Sequence, residues 1–538
     1  MNKIIYPKKI LKSKGEGNFK NLLVKKVAQI GLNENSTTVM ENGDYVILDF
    51  GREYAGGLRV LTYQAGGERK AKIRLGESVS EVLHAVGECD ATNDHATRDL
   101  TVELQNYSDM TFCNSGFRFA RVEIPEGSRA EIKSILLSAE IFSKPFAGSF
   151  RCDDKLVNDI FNTAAYTVRL CLQNGMIWDG IKRDRLVWIG DIYPEMRSVT
   201  SLFGRLEHIE NSLTFVKDQT PLPDWMNRIS TYSLWWIIIL KDYYLHVGNR
   251  EYLAEQAEYL KGLLDQIDGC VGEDGTLGFE CYLIDWPTHY SPEWEDEDKR
   301  LDELAGVQAL ALMAANAAGY LLGVLGEDTA KASRLKEKLL RKTYSVRKFK
   351  QISALRVYAG IGTERDADLL LKGGAHGMST FMSYFILQGL SVNGKYADAL
   401  AIMKEFYGGM LSLGATTFWE DFDIDWMKDA GRIDRMPQKG KVDVHARYGA
   451  FCYQGLRHSF CHGWSSGVVA YLMQSVAGIE VLGEGCKKIA VRPHLGGLNE
   501  VKAVFPTPFG KLRVHHRRTE NGEIETEIEA PEGVEVVR

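Results

Sequence analysis

The chain has 538 residues, 45% of them hydrophobic and 25% charged, which is the balance of a globular protein rather than a disordered or fibrous one. Lys and Arg number 65 against 72 Asp and Glu, a formal charge of -7 that excludes the global positive field needed to gather nucleic acid or an anionic membrane. Lys3, Lys8 and Lys9 are not followed by the apolar stretch of a secretory signal, and the most apolar run, 234–240, stops at Lys241 and Asp242. The expected setting is therefore cytoplasmic, with no membrane partner.

Residues 1–147 alternate apolar and polar positions over 44–50, 58–63, 70–75, 100–104, 117–124 and 130–137, between clusters of Gly, Asn, Asp and Ser. This pattern predicts an antiparallel β-sandwich. Near Cys152 the period changes to 3.6: Leu156, Ile160, Ala164 and Val168 recur every fourth residue, with Asp153 and Asp154 placed to cap the start. Helical patterns follow over 230–246, 251–267, 302–325, 330–344, 380–390, 397–406 and 464–482, so residues 148–484 read as an all-α domain of paired helices. A closed αα-barrel is expected rather than a solenoid, because no repeat recurs at a fixed period of about 30–45 residues. Alternation returns over 489–491, 500–505, 512–516 and 523–530, giving a small C-terminal β-domain of residues 485–538. The fold class is multidomain α+β, in the order β, α, β.

Nine cysteines, an odd number with no Cys-x-x-Cys pair, suit reduced thiols better than a disulfide framework or a zinc site. The spacing His-Glu-x-x-His is absent, and the nearest approach to a phosphate loop, 389–395, runs into Tyr396 where Ser or Thr is needed. The acidic run Glu293, Glu295, Asp296, Glu297 and Asp298 lacks the order of a calcium loop and reads as solvated. No metal and no cofactor are expected. His289, His376 and His445 read as structural histidines, and His515, His516, Arg517 and Arg518 as a surface feature.

All ten tryptophans lie between Trp178 and Trp464, inside the helical domain. Six adjoin a carboxylate, in Trp178-Asp179, Asp224-Trp225, Asp285-Trp286, Trp294-Glu295, Trp419-Glu420 and Asp425-Trp426. A sugar site needs this pairing, since a pyranose stacks its C–H faces on rings and shares its hydroxyls with carboxylates. The competing reading is that the rings cap barrel loops beside solvated acids. The densest segment, 178–191, puts three aspartates, two arginines and two tryptophans into 14 residues and cannot form an amphipathic helix. Its charges are expected to satisfy one another around a cleft, or else to be plain structural ion pairs. A second segment, 414–421, sets Glu420 between Trp419 and Asp421 far away in the chain. Two distant carboxylates facing one cleft are what glycoside hydrolysis requires.

At these two segments the chain resembles the α-L-rhamnosidases of glycoside hydrolase family 78. That family carries Asp-Cys-Pro-Gln-Arg-(Asp)-Glu followed by Gly-Asp, and Thr-Thr-x-Trp-Glu downstream. Asp179, Arg183, Asp184, Gly190 and Asp191 match the first signature, and Thr416, Thr417, Trp419 and Glu420 the second. Weaker likeness lies in 459–465, 489–494 and 49–52. The resemblance implies a β-sandwich, an (α/α)6 barrel and a C-terminal β-domain. It implies an inverting exo-glycoside hydrolase that removes a terminal α-L-rhamnose or related sugar from a small glycoside. Asp184 would be the general acid and Glu420 the general base, with Asp191 left open as an alternative proton donor. Asp179, Arg183 and Asp191 would hold hydroxyls, Trp188 and Trp419 would line the apolar side, and His462 would complete the pocket; Trp225, Asp285 and Trp286 are further sugar-binding candidates. An inverting pair needs its carboxyl groups about 6.5–9.5 Å apart. Here Gly180-Ile181-Lys182 replaces Cys-Pro-Gln, and Asp184 is shorter than the family's usual Glu, so either the backbone moves closer or the substrate differs. A catalytically silent carbohydrate-binding protein on the same fold, or a phosphorylase, are the alternatives, and homo-oligomerisation stays open.

Overall fold

In the computed structural model, which describes residues 3–289 and 296–538, the early alternation becomes an eight-stranded antiparallel sheet domain. Glu293 of the acidic run and the Trp294-Glu295 pair lie outside the described residues. At the centre of the sheet, strand Tyr45–Thr62 lies between Asp109–Glu123 and Arg129–Glu140. Register shifts between Asp49 and Tyr54 and between Gly56 and Leu58 bend this strand. Its first half therefore pairs with Lys9–Lys14 and its second half with Arg129–Glu140. Gly56 permits the bend: it sits at φ 146°, and a Cβ there would lie 2.1 Å from the Ser138 carbonyl oxygen. Val46, Leu48, Phe50, Leu58, Val60, Phe117, Val122, Ile135 and Leu137 are buried together as the core of the domain.

The change of period near Cys152 falls where strand Ser149–Cys152 gives way to helix Lys155–Cys171. Asp154 caps helix Lys155–Cys171, accepting from the N–H groups of Leu156 at 2.8 Å and Val157 at 3.2 Å. Six helices form an inner ring: Ile192–Phe203, Ser230–Val247, Glu297–Leu325, Lys350–Tyr358, Ser383–Val392 and Val468–Tyr471. Each packs on the next, and the last packs on the first, so the ring closes. Lys155–Cys171, Glu207–Asp218, Arg250–Gly269, Ala330–Leu340, Glu364–Leu371 and Tyr396–Ser412 precede them in the chain as the outer members, which makes the domain an (α/α)6 barrel. Helix Glu297–Leu325 is long and apolar enough to cross a membrane, but 72% of that stretch is buried inside the protein as a barrel wall.

Three expectations change. The helix expected over 330–344 ends at Leu340. The helix expected over 464–482 is broken into a 3-10 turn Gly463–Gly467, one α-turn Val468–Tyr471 and a π-turn Leu472–Val476. Gly478, left-handed at φ 69°, then turns the chain into strand Ile479–Val481. Strand Ser149–Cys152, from residues read as helical domain, pairs antiparallel with Glu500–Thr507 and so joins the C-terminal sheet formed with Gly510–Arg518 and Ile524–Glu529.

The N-terminal domain docks on the loops that carry both acidic motifs. Arg118 is held by Asp49 at 2.9 and 3.0 Å and donates to the Gly414 carbonyl at 3.1 Å. The Glu53 N–H donates to Thr416 Oγ1 at 3.0 Å, and Arg185 donates to Asn114 Oδ1 at 2.8 Å.

Candidate active site

A two-residue turn delivers the first motif. Asn174 and Gly175, both left-handed at φ 51° and 75°, join the short strands Leu172–Gln173 and Met176–Ile177, and the chain leaves them as an irregular loop from Asp179 to Gly190. Gly180 bridges to His462, and a Cβ on it would lie 3.1 Å from the Cys461 carbonyl. The Asp179 carbonyl accepts from the Gly463 N–H at 2.7 Å, while its Oδ1 accepts from the Leu186 N–H at 2.8 Å.

Lys182, in the place of the family's glutamine, is buried and donates to the carbonyls of Leu456 at 2.6 Å and His458 at 2.7 Å. Its ammonium also lies 3.1 Å from Glu81, 3.5 Å from Glu77 and 3.2 Å from His445 Nε2. Glu77, Glu81 and His445 could between them ligate a metal, but the Lys182 ammonium contacts all three, so the cluster already holds a cation. Burial pushes Glu77 up to about 8 against the pull of Lys182. Lys182→Met takes the shared cation from Glu77 and Glu81, leaving only Arg98 at 3.2 Å from Glu81, and is expected to cost about 3–5 kcal/mol, read as a lower urea midpoint. An unchanged midpoint would show that the two acids accept neutralisation at no cost.

The second motif runs beside residues 459–463. Thr417 donates to the Phe460 carbonyl at 2.7 Å, the His462 N–H to the Phe418 carbonyl at 3.0 Å, and the Glu420 N–H to the Ser459 carbonyl at 2.9 Å. Glu420 Oε2 accepts from the Ser459 N–H at 3.1 Å, and its Oε1 accepts from Arg183. The other terminal nitrogen of Arg183 donates to Asp184 Oδ1 at 2.8 Å, and its Nε to the Arg457 carbonyl at 3.0 Å. One buried guanidinium thus joins two acids 236 positions apart. His462 Nε2 lies 3.7 Å from Asp179 and 3.9 Å from Glu420, and the Tyr232 hydroxyl donates to Asp191 Oδ1 at 3.0 Å.

Burial governs the electrostatics. It raises Asp179, Asp191 and Glu195 well above the usual carboxylate range, with neighbouring carboxylates adding to the effect. Burial also raises Glu420, while Arg183 and the Ser459 N–H pull it back down. Asp285, accepting from the Trp286 N–H at 2.9 Å and from Ser379, and Asp421 beside it are each pushed up to about 7. His462 is held well below the usual histidine range by burial and by Arg183. The cleft is a set of acids drawn towards their neutral form around one permanent cation. Among the described residues His462 Nδ1 and both Glu195 carboxyl oxygens have no hydrogen-bond partner.

Asp179, Arg183, Asp184, Asp191, Glu420 and His462 come together. Trp188 stands at their edge, 6.2 Å edge-on to Tyr232. Trp225 packs on Phe279 and lines a neighbouring cavity of about 750 Å³ with Leu186, Val187 and Asn227. Trp286 stacks on Phe451. Trp419 does not line the cleft as expected: it is 0% exposed and stacked on Phe460 at 4.1 Å. Glu420 turns to Arg183 and the Ser459 N–H, while Trp419 turns into the core against Phe460. Sequence reasoning missed Tyr232, Glu195, Asp421 and His95. Asp421 adjoins Glu420 and carried a signal; the other three lie far from either motif or inside a helix.

Residues 145–345 match the family model of the bacterial alpha-L-rhamnosidase six-hairpin glycosidase domain, and residues 478–537 that of the bacterial alpha-L-rhamnosidase C-terminal domain. No curated protein sequence matches the chain. Among solved structures, the family GH78 rhamnosidase of Bacillus sp. GL1 is 21% identical, with a TM-score of 0.73 over 96% of this chain and 55% of its own. The alpha-L-rhamnosidase of Dictyoglumus thermophilum is 18% identical, with a TM-score of 0.71 over 99% and 58%. A rhamnosidase from Klebsiella oxytoca with rhamnose bound is 20% identical, with a TM-score of 0.63 over 88% and 95%. The chain thus spans just over half the length of the first two; at these identities the likeness is one of fold.

Proposed function

From a chain that carries the bacterial alpha-L-rhamnosidase six-hairpin glycosidase and C-terminal domains, we propose an exo-acting glycoside hydrolase that removes terminal α-L-rhamnose, with inversion. The observation that carries this reading is the Arg183 guanidinium shared between Asp184 and Glu420. Asp184, the most exposed carboxylate of the cluster at 18%, protonates the leaving oxygen. Glu420, whose pKa Arg183 and the Ser459 N–H pull down against the effect of burial, takes the proton of the attacking water on the opposite face of the sugar. Asp179 and Asp191, drawn towards their neutral form, can donate as well as accept hydrogen bonds to the sugar hydroxyls, and His462 adds a neutral ring between Asp179 and Glu420.

The test is hydrolysis of an aryl α-L-rhamnoside followed by proton NMR during the first turnovers. The β-anomer of the free sugar is expected to appear first and then mutarotate. First appearance of the α-anomer would mean retention and would remove Glu420 from its role as base. Among α-L-rhamnoside, α-L-fucoside, β-D-glucuronide and β-D-galactoside substrates, turnover is expected with the first alone.

A further inference from the structure

We infer that His95, a residue of the N-terminal sheet domain, is the positioning residue of Asp184 on the leaving-group side of the cleft. The inference rests on the hydrolase reading above. His95 Nδ1 accepts from the Asp184 backbone N–H at 2.9 Å and stands 3.1 Å from Asp184 Oδ1. A ring that accepts at Nδ1 carries its proton on Nε2, so its remaining donor is the Nε2–H.

The backbone on both sides of this contact is unusual. His95, Asp184 and Arg185 lie in the left-handed region at φ 61°, 54° and 56°, a conformation unfavourable to residues with a Cβ and kept where surrounding contacts enforce it. Those contacts form a closed circuit. Asp94 is paired with Arg457 at 3.3 Å, the Arg457 carbonyl accepts from Arg183 at 3.0 Å, Arg183 holds Asp184, and Asp184 holds His95. Arg185 is pinned in turn by the Ile181 carbonyl at 2.9 Å and by Asn114 of the sheet domain at 2.8 Å.

Exposure gives the direction. The side chains of Asp179, Arg183, Glu420 and His462 are at most 4% exposed, whereas Asp184 is 18% and His95 47% exposed. Solvent reaches the cluster at the Asp184–His95 contact. A terminal sugar seated among the buried groups leaves its leaving group at this opening, where Asp184 delivers the proton. His95 is thereby placed to fix the backbone of Asp184, and through it the direction of the carboxyl.

Acid assistance matters in proportion to the basicity of the leaving oxygen, and this separates positioning of the acid from general damage. The experiment measures kcat and KM of wild type, His95→Ala and His95→Asn on phenyl α-L-rhamnoside and on the 2,4-dinitrophenyl compound, whose leaving group needs little proton. His95→Ala is expected to lower kcat on the phenyl substrate about tenfold while leaving the dinitrophenyl rate within about twofold. His95→Asn is expected to recover most of the loss, because Asn tolerates left-handed backbone and offers an oxygen in place of Nδ1. Equal losses on both substrates, or no loss on either, in an active enzyme overturn the role of His95 and leave the hydrolase reading standing. A wild type that turns over neither substrate overturns that reading and the inference together.

Discussion

Glu420→Gln is expected to lower kcat on an aryl α-L-rhamnoside by about 10²- to 10⁴-fold with KM within a few-fold of wild type. The substitution keeps the volume and one oxygen to accept from Arg183, at the loss of the acceptor for the Ser459 N–H. It leaves untouched the bonds of the Glu420 N–H to the Ser459 carbonyl, of Thr417 to the Phe460 carbonyl and of the His462 N–H to the Phe418 carbonyl, so the pocket stays assembled. What it removes is the charge that takes a proton from water. Azide needs no such base, and adding it to the variant is expected to restore turnover with the β-configured rhamnosyl azide as product. A variant that keeps its activity, or that yields the α-configured azide, would show that Glu420 is not the base on the far face of the sugar.

Removing Arg183 is expected to act on stability and on pH dependence together. Arg183 is 3% and Glu420 4% exposed, so Arg183→Met strands a buried carboxylate and costs about 3–5 kcal/mol, read by urea denaturation. The sign of the pH effect follows from the two opposing influences on Glu420: burial raises its pKa and Arg183 lowers it. Without the cation the pKa rises further, so at neutral pH more of the base is protonated and idle. The acid limb of the kcat/KM profile therefore moves to higher pH. Arg183→Lys keeps a positive charge and is expected to restore much of the stability and the position of that limb. It loses the fork that reaches Asp184 and Glu420 at once, so its kcat stays low. An acid limb unmoved in Arg183→Met would mean that a group other than Glu420 sets it.

Local pattern sufficed where a segment buries one face. Helix Lys155–Cys171 shows its stripe at Ile160, Ala164 and Val168 and its cap at Asp154. Ser230–Val247 shows itself by apolar composition, and the strands of both β-domains by alternation. It failed for inner-ring helices such as Lys350–Tyr358, where every residue but Tyr358 is buried, Lys350, Gln351 and Arg356 included, so that burial leaves no clear apolar stripe. The helix expected over 464–482 failed for the opposite reason: Gly467 lets the chain approach Tyr384, at 2.7 Å for a built Cβ, and Gly478 ends the segment early.

For the site, the sequence by itself singled out Asp179, Arg183, Asp184 and Asp191, and separately Thr416, Thr417 and Glu420, because their spacing is written locally. It also determined that segment 178–191 could not be an amphipathic helix, since its charges leave no apolar face to bury. Only the tertiary structure decided that Glu420 rather than Trp419 faces the cleft: Glu420 meets Arg183 while Trp419 is buried against Phe460, and nothing in the dipeptide distinguishes the two orders. Only the tertiary structure, too, brought Glu77 to the Phe460 N–H at 2.6 Å, His95 to Asp184 and Tyr232 to Asp191, across separations of 383, 89 and 41 residues. The first two contacts are set by how the β-domain seats on the barrel and the third by how the inner helices pack on one another, and no local periodicity encodes either.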